Sequence, residues 1–324
     1  MLFRLNEADQ LRRAETVQMR AVLGANIARF LGDRNDLETA IPGLDLVRRT
    51  SVTPPDSYLY EPSLAMIVQG GKRVVLGDAT YLYDESRFLL TAVNLPTITQ
   101  VLKATPEEPY ISVVLKLDLT AAKQMITDID LGDQDAAADG AGMATGPATV
   151  ALLGTLTRLI DLLDAPTDIP ILSGLIQREL LYRVLVSPAG ARLRQIVRLG
   201  TQGNRVARSI DWLRHNYIRP LRVADMAAIS GMGVSTLHHH FRLLTAMSPL
   251  QFQKHLRLHE ARRLMLSEDL DAGSAALRVG YESATQFSRE YRRLFGAPPM
   301  RDVKALRLTN AAELAASKQT AVRL

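Results

Sequence analysis

The chain contains no cysteine. It therefore has no disulfide framework, no thiol nucleophile and no thiolate metal site. A reducing cytoplasm is the simplest compartment for such a composition. Histidine is missing from the first 203 residues, and all six histidines fall between His215 and His259. Transition metals favour imidazole or thiolate, so the N-terminal half offers little to metal-dependent chemistry. Long apolar runs are also missing: none reaches the roughly 18 residues of a membrane span, and no membrane partner is expected. The segment 1–22 is amphipathic, with Arg4, Arg12, Arg13 and Arg20, and lacks the uninterrupted apolar centre of a secretion signal. Among the few aromatics there is one tryptophan, Trp212, expected in a C-terminal helical core.

What is present is ordinary for a folded protein. The 324 residues are 47% apolar and 23% charged, enough for about two domains with their own cores. Charge is unevenly placed. Residues 204–303 carry 15 Lys and Arg against 9 Asp and Glu, a net of +6; the remainder carries 24 against 25, a net of −1. A local basic excess suits a polyanion such as nucleic acid, although it also suits solubility.

Residues 57–118 read as a series of short strands. Apolar segment 64–69 ends in Gly70-Gly71, a hairpin-turn signal, and Gly77-Asp78 follows as a second. Further strand-like runs at 81–83, 88–93, 98–103 and 110–117 point to an antiparallel barrel or sandwich. Residues 118–128 read as a short helix. The stretch 132–147, rich in Ala, Gly and Asp, reads as a flexible loop. Two helical runs follow, at 147–164 and 176–186. The first carries Val150, Leu153, Leu156, Ile160 and Leu163 at steps of three and four. This pair either closes the barrel or buries its stripe against a second copy of the chain, the latter making a homodimer. Gly200 to Asn204 is polar and Gly-rich and reads as the joint between units.

The C-terminal hundred residues repeat themselves. At an offset of 50, Leu237 matches Phe287, Phe241 matches Tyr291, Arg242 matches Arg292, Leu244 matches Leu294 and Pro249 matches Pro299; Gly231 and Gly280 match one residue out of step. Each copy has a short Ala-rich helix (223–230; 272–279), a Gly turn and a second helix with apolar residues at helical spacing. That is the helix-turn-helix pattern. The spacer, 249–267, has Ser248-Pro249 at its start, a strong helix N-terminus. Its 19 residues span about 28 Å as a helix, close to the roughly 34 Å between major-groove segments on one DNA face. The chain as a whole is α+β: an antiparallel β-barrel with helices, then an all-α unit with two helix-turn-helix motifs.

The stretches PLRVADMAAISGMGVSTLHHHFRLLTAMSPLQFQKHLRLHEARRLML and VGYESATQFSREYRRLFGAPP resemble the AraC/XylS family of bacterial transcription regulators. QGGKRVVLGDATYLYDESRFLL is similar to the cupin-like regulatory domain found in one branch of that family. The resemblance implies a cupin-like effector-binding or dimerising domain over 1–200, a DNA-binding domain over 204–303 and a tail over 304–324. It implies base contacts from Ser235, His238 and His239 in the first recognition helix and from Thr285, Gln286 and Arg289 in the second. All six point away from the apolar stripes. Arg242, Arg292 and Arg293 flank these faces and suit phosphates. Many relatives have Arg at the place of His239, and an imidazole there would favour binding at mildly acidic pH. Double-stranded promoter DNA, a small-molecule effector and RNA polymerase are the implied partners, activation the implied outcome, and no cofactor is implied.

Other readings are weaker. His238, His239 and His240 are consecutive and diverge on a helix, with His240 expected half-buried beside Phe241. His255 and His259, four apart, lack a third ligand. Gly231-Met232-Gly233 follows no strand and lacks the further glycine of a phosphate loop, and no Gly-x-Ser-x-Gly elbow occurs. Tyr58 with Tyr60, and Tyr81 with Tyr83, share faces at strand spacing; with Met66 and Arg87 they either line an effector pocket or are ordinary sheet packing. The chain is expected not to be an enzyme. The alternatives are a cupin-type metal oxygenase or isomerase fused to a helical domain, and a sequence-indifferent architectural DNA binder.

Overall fold

The computed structural model describes residues 7–128, 140–198 and 200–308. The first described element is helix α1 (Glu7–Leu31), whose Leu23, Ile27 and Leu31 are fully buried at successive four-residue steps. A single helix was not anticipated over this segment. Ten strands follow among the described residues: β1 (Asp36–Glu38), β2 (Leu44–Arg49), β3 (Asp56–Tyr60), β4 (Ser63–Gln69), β5 (Gly71–Leu76), β6 (Ala79–Asp84), β7 (Arg87–Thr91), β8 (Leu95–Lys103), β9 (Tyr110–Lys116) and β10 (Met143–Pro147).

They form two antiparallel sheets, ordered β1-β2-β9-β4-β7-β10 and β3-β8-β5-β6. Six of the seven residues of β4 are buried, so this strand is covered on both sides. One cover is α1, whose Gly24 lies over Val68. Double coverage explains why β4 reads as one unbroken apolar run and not as an alternating strand.

Two expectations fail here. Gly70 is not a hairpin turn: β4 pairs with β7 and β9, while β5 pairs with β6 and β8 in the other sheet. Gly70 has φ +96°, and a Cβ there would lie 2.6 Å from the Lys103 carbonyl oxygen, so glycine is required by a tight crossing between sheets. Residues 143–147, taken for loop, form β10, which pairs with β7 from Met143↔Thr91 to Pro147↔Arg87. The low apolar content of this edge strand hid it. Residues 132–139 of the same expected loop lie outside the described residues, as do 1–6 of the amphipathic start and 309–324 of the tail. The Gly77-Asp78 turn does close a hairpin, with Leu76 opposite Ala79.

Helix α2 (Leu119–Asp128) leaves the barrel as expected. Helices α3 (Val150–Asp161), α4 (Ile169–Leu185) and α5 (Gly190–Val197) follow β10. The stripe of α3 is buried under α1 and α4 and so is not free to meet a second copy. Glu179 of α4 locks this packing. It bonds to Thr155 at 2.8 Å and to Arg158 and Arg183, and the Arg183 bond heads the causes that hold its carboxyl down at about 2.

The C-terminal unit contains α6 (Gln202–Asn216), α7 (Val223–Ser230), α8 (Val234–Thr245), α9 (Pro249–Ser267), α10 (Ala272–Arg278) and α11 (Ala284–Phe295). The joint is shorter than expected, because Asn204 already lies inside α6 and Thr201 caps it by accepting from the Asn204 N–H. The buried cluster of the barrel runs without a break into Leu237, Phe241, Phe252 and Leu256 of the first helix-turn-helix. Trp212 packs half-buried against the same cluster. A separate cluster, including Leu258, Met265, Phe287 and Tyr291, builds the second. Helix α9 therefore serves two cores, one at each end.

Replacing Gly70 by Ala should lower the unfolding free energy by about 3 kcal/mol, from strain and collision together. Gly32→Ala, at φ +55° with open space around it, should cost about 1 kcal/mol. Urea denaturation of both variants checks this; equal losses would contradict the crossing.

Candidate nucleic-acid interface

Each helix-turn-helix is shaped by its caps. Gly231 ends α7 in the left-handed region at φ 64°, and Gly280 turns the chain after α10 at φ 89°. Asp271 caps α10 by accepting from Gly273 and Ser274, and Ser283 caps α11 by accepting from Gln286. At the far ends, Ala246 (φ 59°) and Gly296 (φ 79°) stop α8 and α11 in the same conformation, fifty positions apart in the repeat. Leu237, Phe241 and Leu244 are buried under α8, as are Phe287 and Tyr291 under α11.

The opposite faces are open. Ser235, His238 and His239 are exposed on α8, and Thr285, Gln286 and Arg289 are exposed on α11. In the 50-residue register Ser235 corresponds to Thr285 and His239 to Arg289. Arg242, Arg289, Arg292 and Arg293 are exposed and make no ion pair among the described residues, so their charge is available to an anion. His240 is half-buried, its ring edge-on to His239 at 5.1 Å.

A group that sequence reasoning missed sits beneath α11. Glu290 is buried and accepts from Lys254 at 2.8 Å, Tyr281 at 2.9 Å and Gln286 at 3.2 Å. Burial pushes its carboxyl up, but these hydrogen bonds outweigh that and hold it below the ordinary value. The carboxylate thus fixes one end of the Gln286 amide. No local pattern announces this, because Lys254 is brought in by α9 from 36 residues away.

His255 and His259 face inward. Nε2 of His259 is 3.1 Å from the Ser57 hydroxyl on β3, and its ring meets Phe295 edge-on at 5.2 Å. Among the described residues no cluster of three or more His, Cys, Asp or Glu could hold a metal.

The six barrel candidates do not converge on one place. Tyr58 and Tyr60 have ring centroids 4.8 Å apart, Tyr60 is bonded to Tyr83, and Lys72 donates to the Tyr60 hydroxyl at 2.9 Å. Met66 is buried and paired with Phe88 and Val113. Tyr81 donates to the Met143 carbonyl at 3.3 Å, and Arg87 is exposed and bonded to Thr145.

Two family models match the chain: an AraC-type transcriptional regulator N-terminus over residues 40–192, and a helix-turn-helix domain over residues 226–305. The chain belongs to the AraC family of transcriptional regulators. The second match runs from Met226 of α7 past α11 and so contains both α8 and α11. This AraC-family chain is 29% identical over 160 residues to the HTH-type transcriptional regulator ExsA of Pseudomonas aeruginosa, covering 49% of this chain and 57% of ExsA. It is 28% identical over 100 residues to the transcriptional activator RhaS of Pectobacterium carotovorum, covering 31% of this chain and 36% of RhaS. A match to the virulence regulon transcriptional activator VirF of Yersinia enterocolitica has 28% identity over 135 residues, 41% of this chain and 49% of VirF. The chain thus spans between about a third and just over half the length of these relatives. Its fold is that of ToxT from Vibrio cholerae, with a TM-score of 0.53 at 12% identity over 83% of this chain and 97% of ToxT.

Burial depresses both inward histidines from the ordinary 6.5. His255 falls to about 4, with Arg293 adding to the effect, and His259 to about 3, with His255 and Arg262 adding. The unfolded chain takes up these protons near pH 6.5, the folded chain only near pH 4 and 3. Their contribution to stability is therefore full above pH 6.5 and lost as pH falls below it, by about 1.4 kcal/mol per pH unit for each. The urea midpoint should decline from pH 6.5 downward. A His255→Gln, His259→Gln double variant should decline less over that interval, and identical profiles would contradict the assignment.

Proposed function

We propose that the chain is a ligand-responsive transcriptional regulator that reads promoter DNA through α8 and α11, each in one of two successive major-groove segments. The observation that carries this is the unbroken 19-residue α9, with a reading helix beside each end and register-equivalent exposed faces on the two. Its length of about 28 Å suits one turn of the duplex. Arg289 can pair bidentately with guanine, and Gln286, steadied by Glu290, with adenine. Ser235, His238, His239 and Thr285 complete the base-facing sets, while Arg242, Arg292 and Arg293 bind phosphates and add affinity without sequence choice. RhaS and VirF are activators by name, and we extend that outcome to this chain, with RNA polymerase as the recruited partner. The reading assigns no catalysis and no cofactor.

An effector has to bind two arrangements of the protein with different affinity, or nothing switches. ToxT has been solved bound to an unsaturated fatty acid and to (E)-4-(8-methylnaphthalen-1-yl)but-3-enoic acid, and we propose a small-molecule effector here too. We also assign homodimerisation to the outer face of α4. Ile171, Leu175, Tyr182 and Val186 lie along it, 71%, 63%, 44% and 43% exposed, on a helix whose other side is fastened to α3. Such a stripe is self-complementary about a two-fold axis.

Arg289→Ala should weaken binding to a selected operator by about 1–3 kcal/mol and relax base choice at one position. Arg292→Ala should weaken selected and random duplexes alike and reduce the salt slope by about one. Fluorescence anisotropy in competition with random duplex reads both; an Arg289→Ala variant that behaves as the parent overturns the register. In sedimentation velocity the parent should be dimeric and an Ile171→Glu, Leu175→Glu variant monomeric with its melting temperature kept. A monomeric parent contradicts the assignment of α4.

A further inference from the structure

A pocket of about 360 Å³ opens where the barrel, α2, α5 and α6 meet. That volume is many waters' worth, far more than a packing defect, and interfaces between domains are where ligand sites concentrate. Part of its wall is apolar: Val93 from the barrel, Leu119 from α2, Ile196 from α5 and Ile210 from α6.

Two polar features are unbalanced. The lining holds three cations, Lys123, Arg208 and Arg214, against one acid, Asp211. Asp211 lies 3.7 Å from His215, and Arg214 is held only loosely by Glu61 at 3.5 Å. Lys123 and Arg208 have no ion pair among the described residues. On the barrel wall stands Asn94, only 6% exposed, whose Oδ1 has no hydrogen-bond partner. Native proteins rarely leave a buried carbonyl unpaired, and one set in a pocket wall is a place for a ligand's donor.

In the barrel, Lys72 donates to the Tyr60 hydroxyl, which is bonded to Tyr83. We propose that the pocket at the joint is the effector site, and that it takes a small amphipathic carboxylic acid with a hydrogen-bond donor at the end remote from the carboxylate. The carboxylate pairs with Arg208 and its neighbouring cations, the donor meets Asn94 Oδ1, and the apolar body fills the space between. Because α6 packs on α7 and α8, such a ligand ties the first helix-turn-helix to the barrel. This inference rests on the reading of the chain as ligand-responsive.

Isothermal titration of the full chain with 3-(4-hydroxyphenyl)propanoate tests it. Two compounds serve as controls: the corresponding amide, which lacks the charge, and 3-phenylpropanoate, which lacks the donor. The acid should bind, and each control should be weaker by about tenfold. Arg208→Gln, a surface change, should weaken the acid by about tenfold. Asn94→Leu should erase the preference for the hydroxyl while raising the melting temperature of the free protein, since it removes an unpaired buried carbonyl. Absence of binding at about 5 mM acid, or binding indifferent to both substitutions, overturns the assignment. Operator binding in competition with random duplex is scored separately. If it persists, the regulator reading stands without this pocket; if it is absent, that reading fails whatever the ligand does.

Discussion

The guanidinium of Arg257 holds four backbone carbonyls at once. It donates to Tyr217 at 2.7 Å, Ile218 at 2.9 Å, Arg219 at 3.1 Å and Gly280 at 2.9 Å. No carboxylate faces it in these bonds; fixed peptide dipoles carry the charge instead. Three of the carbonyls belong to the loop that leads from α6 toward the first helix-turn-helix, and the fourth to the turn of the second. Gln253, one turn earlier on α9, donates to two of the same carbonyls. Removing Arg257 takes the side-chain donor from the Ile218 and Gly280 carbonyls, while those of Tyr217 and Arg219 keep Gln253. Helix α9 is therefore more than a spacer: its inward polar residues fix both wedges to one rod.

The barrel adds a second set of constraints on the same helix. The Gly142 N–H donates to the Leu244 carbonyl at 2.8 Å, and the tight turn at Gly77 leaves no room for a Cβ against Ala246, so the barrel abuts the corner between α8 and α9. Farther along, Ser57 meets His259, and Asp56 approaches Arg262, which is itself held in a bidentate pair with Asp302. Tyr291 of α11 donates to the same carboxylate at 2.7 Å. Both helix-turn-helix units are thus tied to the barrel through their common support, while the outer faces of α8 and α11 stay open.

The helix-turn-helix half was legible in the sequence because its signals are local. Glycine at the turns, Ser248-Pro249 at the start of α9 and a 50-residue echo of apolar positions place α7 to α11 closely. The barrel half was less so. Gly70-Gly71 looks like a hairpin, since a turn and a crossing between sheets need the same backbone freedom; only pairing partners distinguish them. β10 is short on apolar residues because it lies at a sheet edge. The inter-domain contacts could not be foreseen at all. Ser57 and His259 are 202 positions apart, and nothing in the neighbourhood of either one singles out the other. Asn94 and Arg208 are likewise brought to one pocket by folding alone.

The absence of native cysteine makes the central claim directly measurable. Spin labels on Ser235→Cys and Thr285→Cys report the separation of α8 and α11 by pulsed electron–electron double resonance. A rod pinned as described predicts one narrow distance distribution in the free protein, on the order of 30 Å. A broad or multi-peaked distribution in the free protein would show the wedges moving independently and would contradict the account.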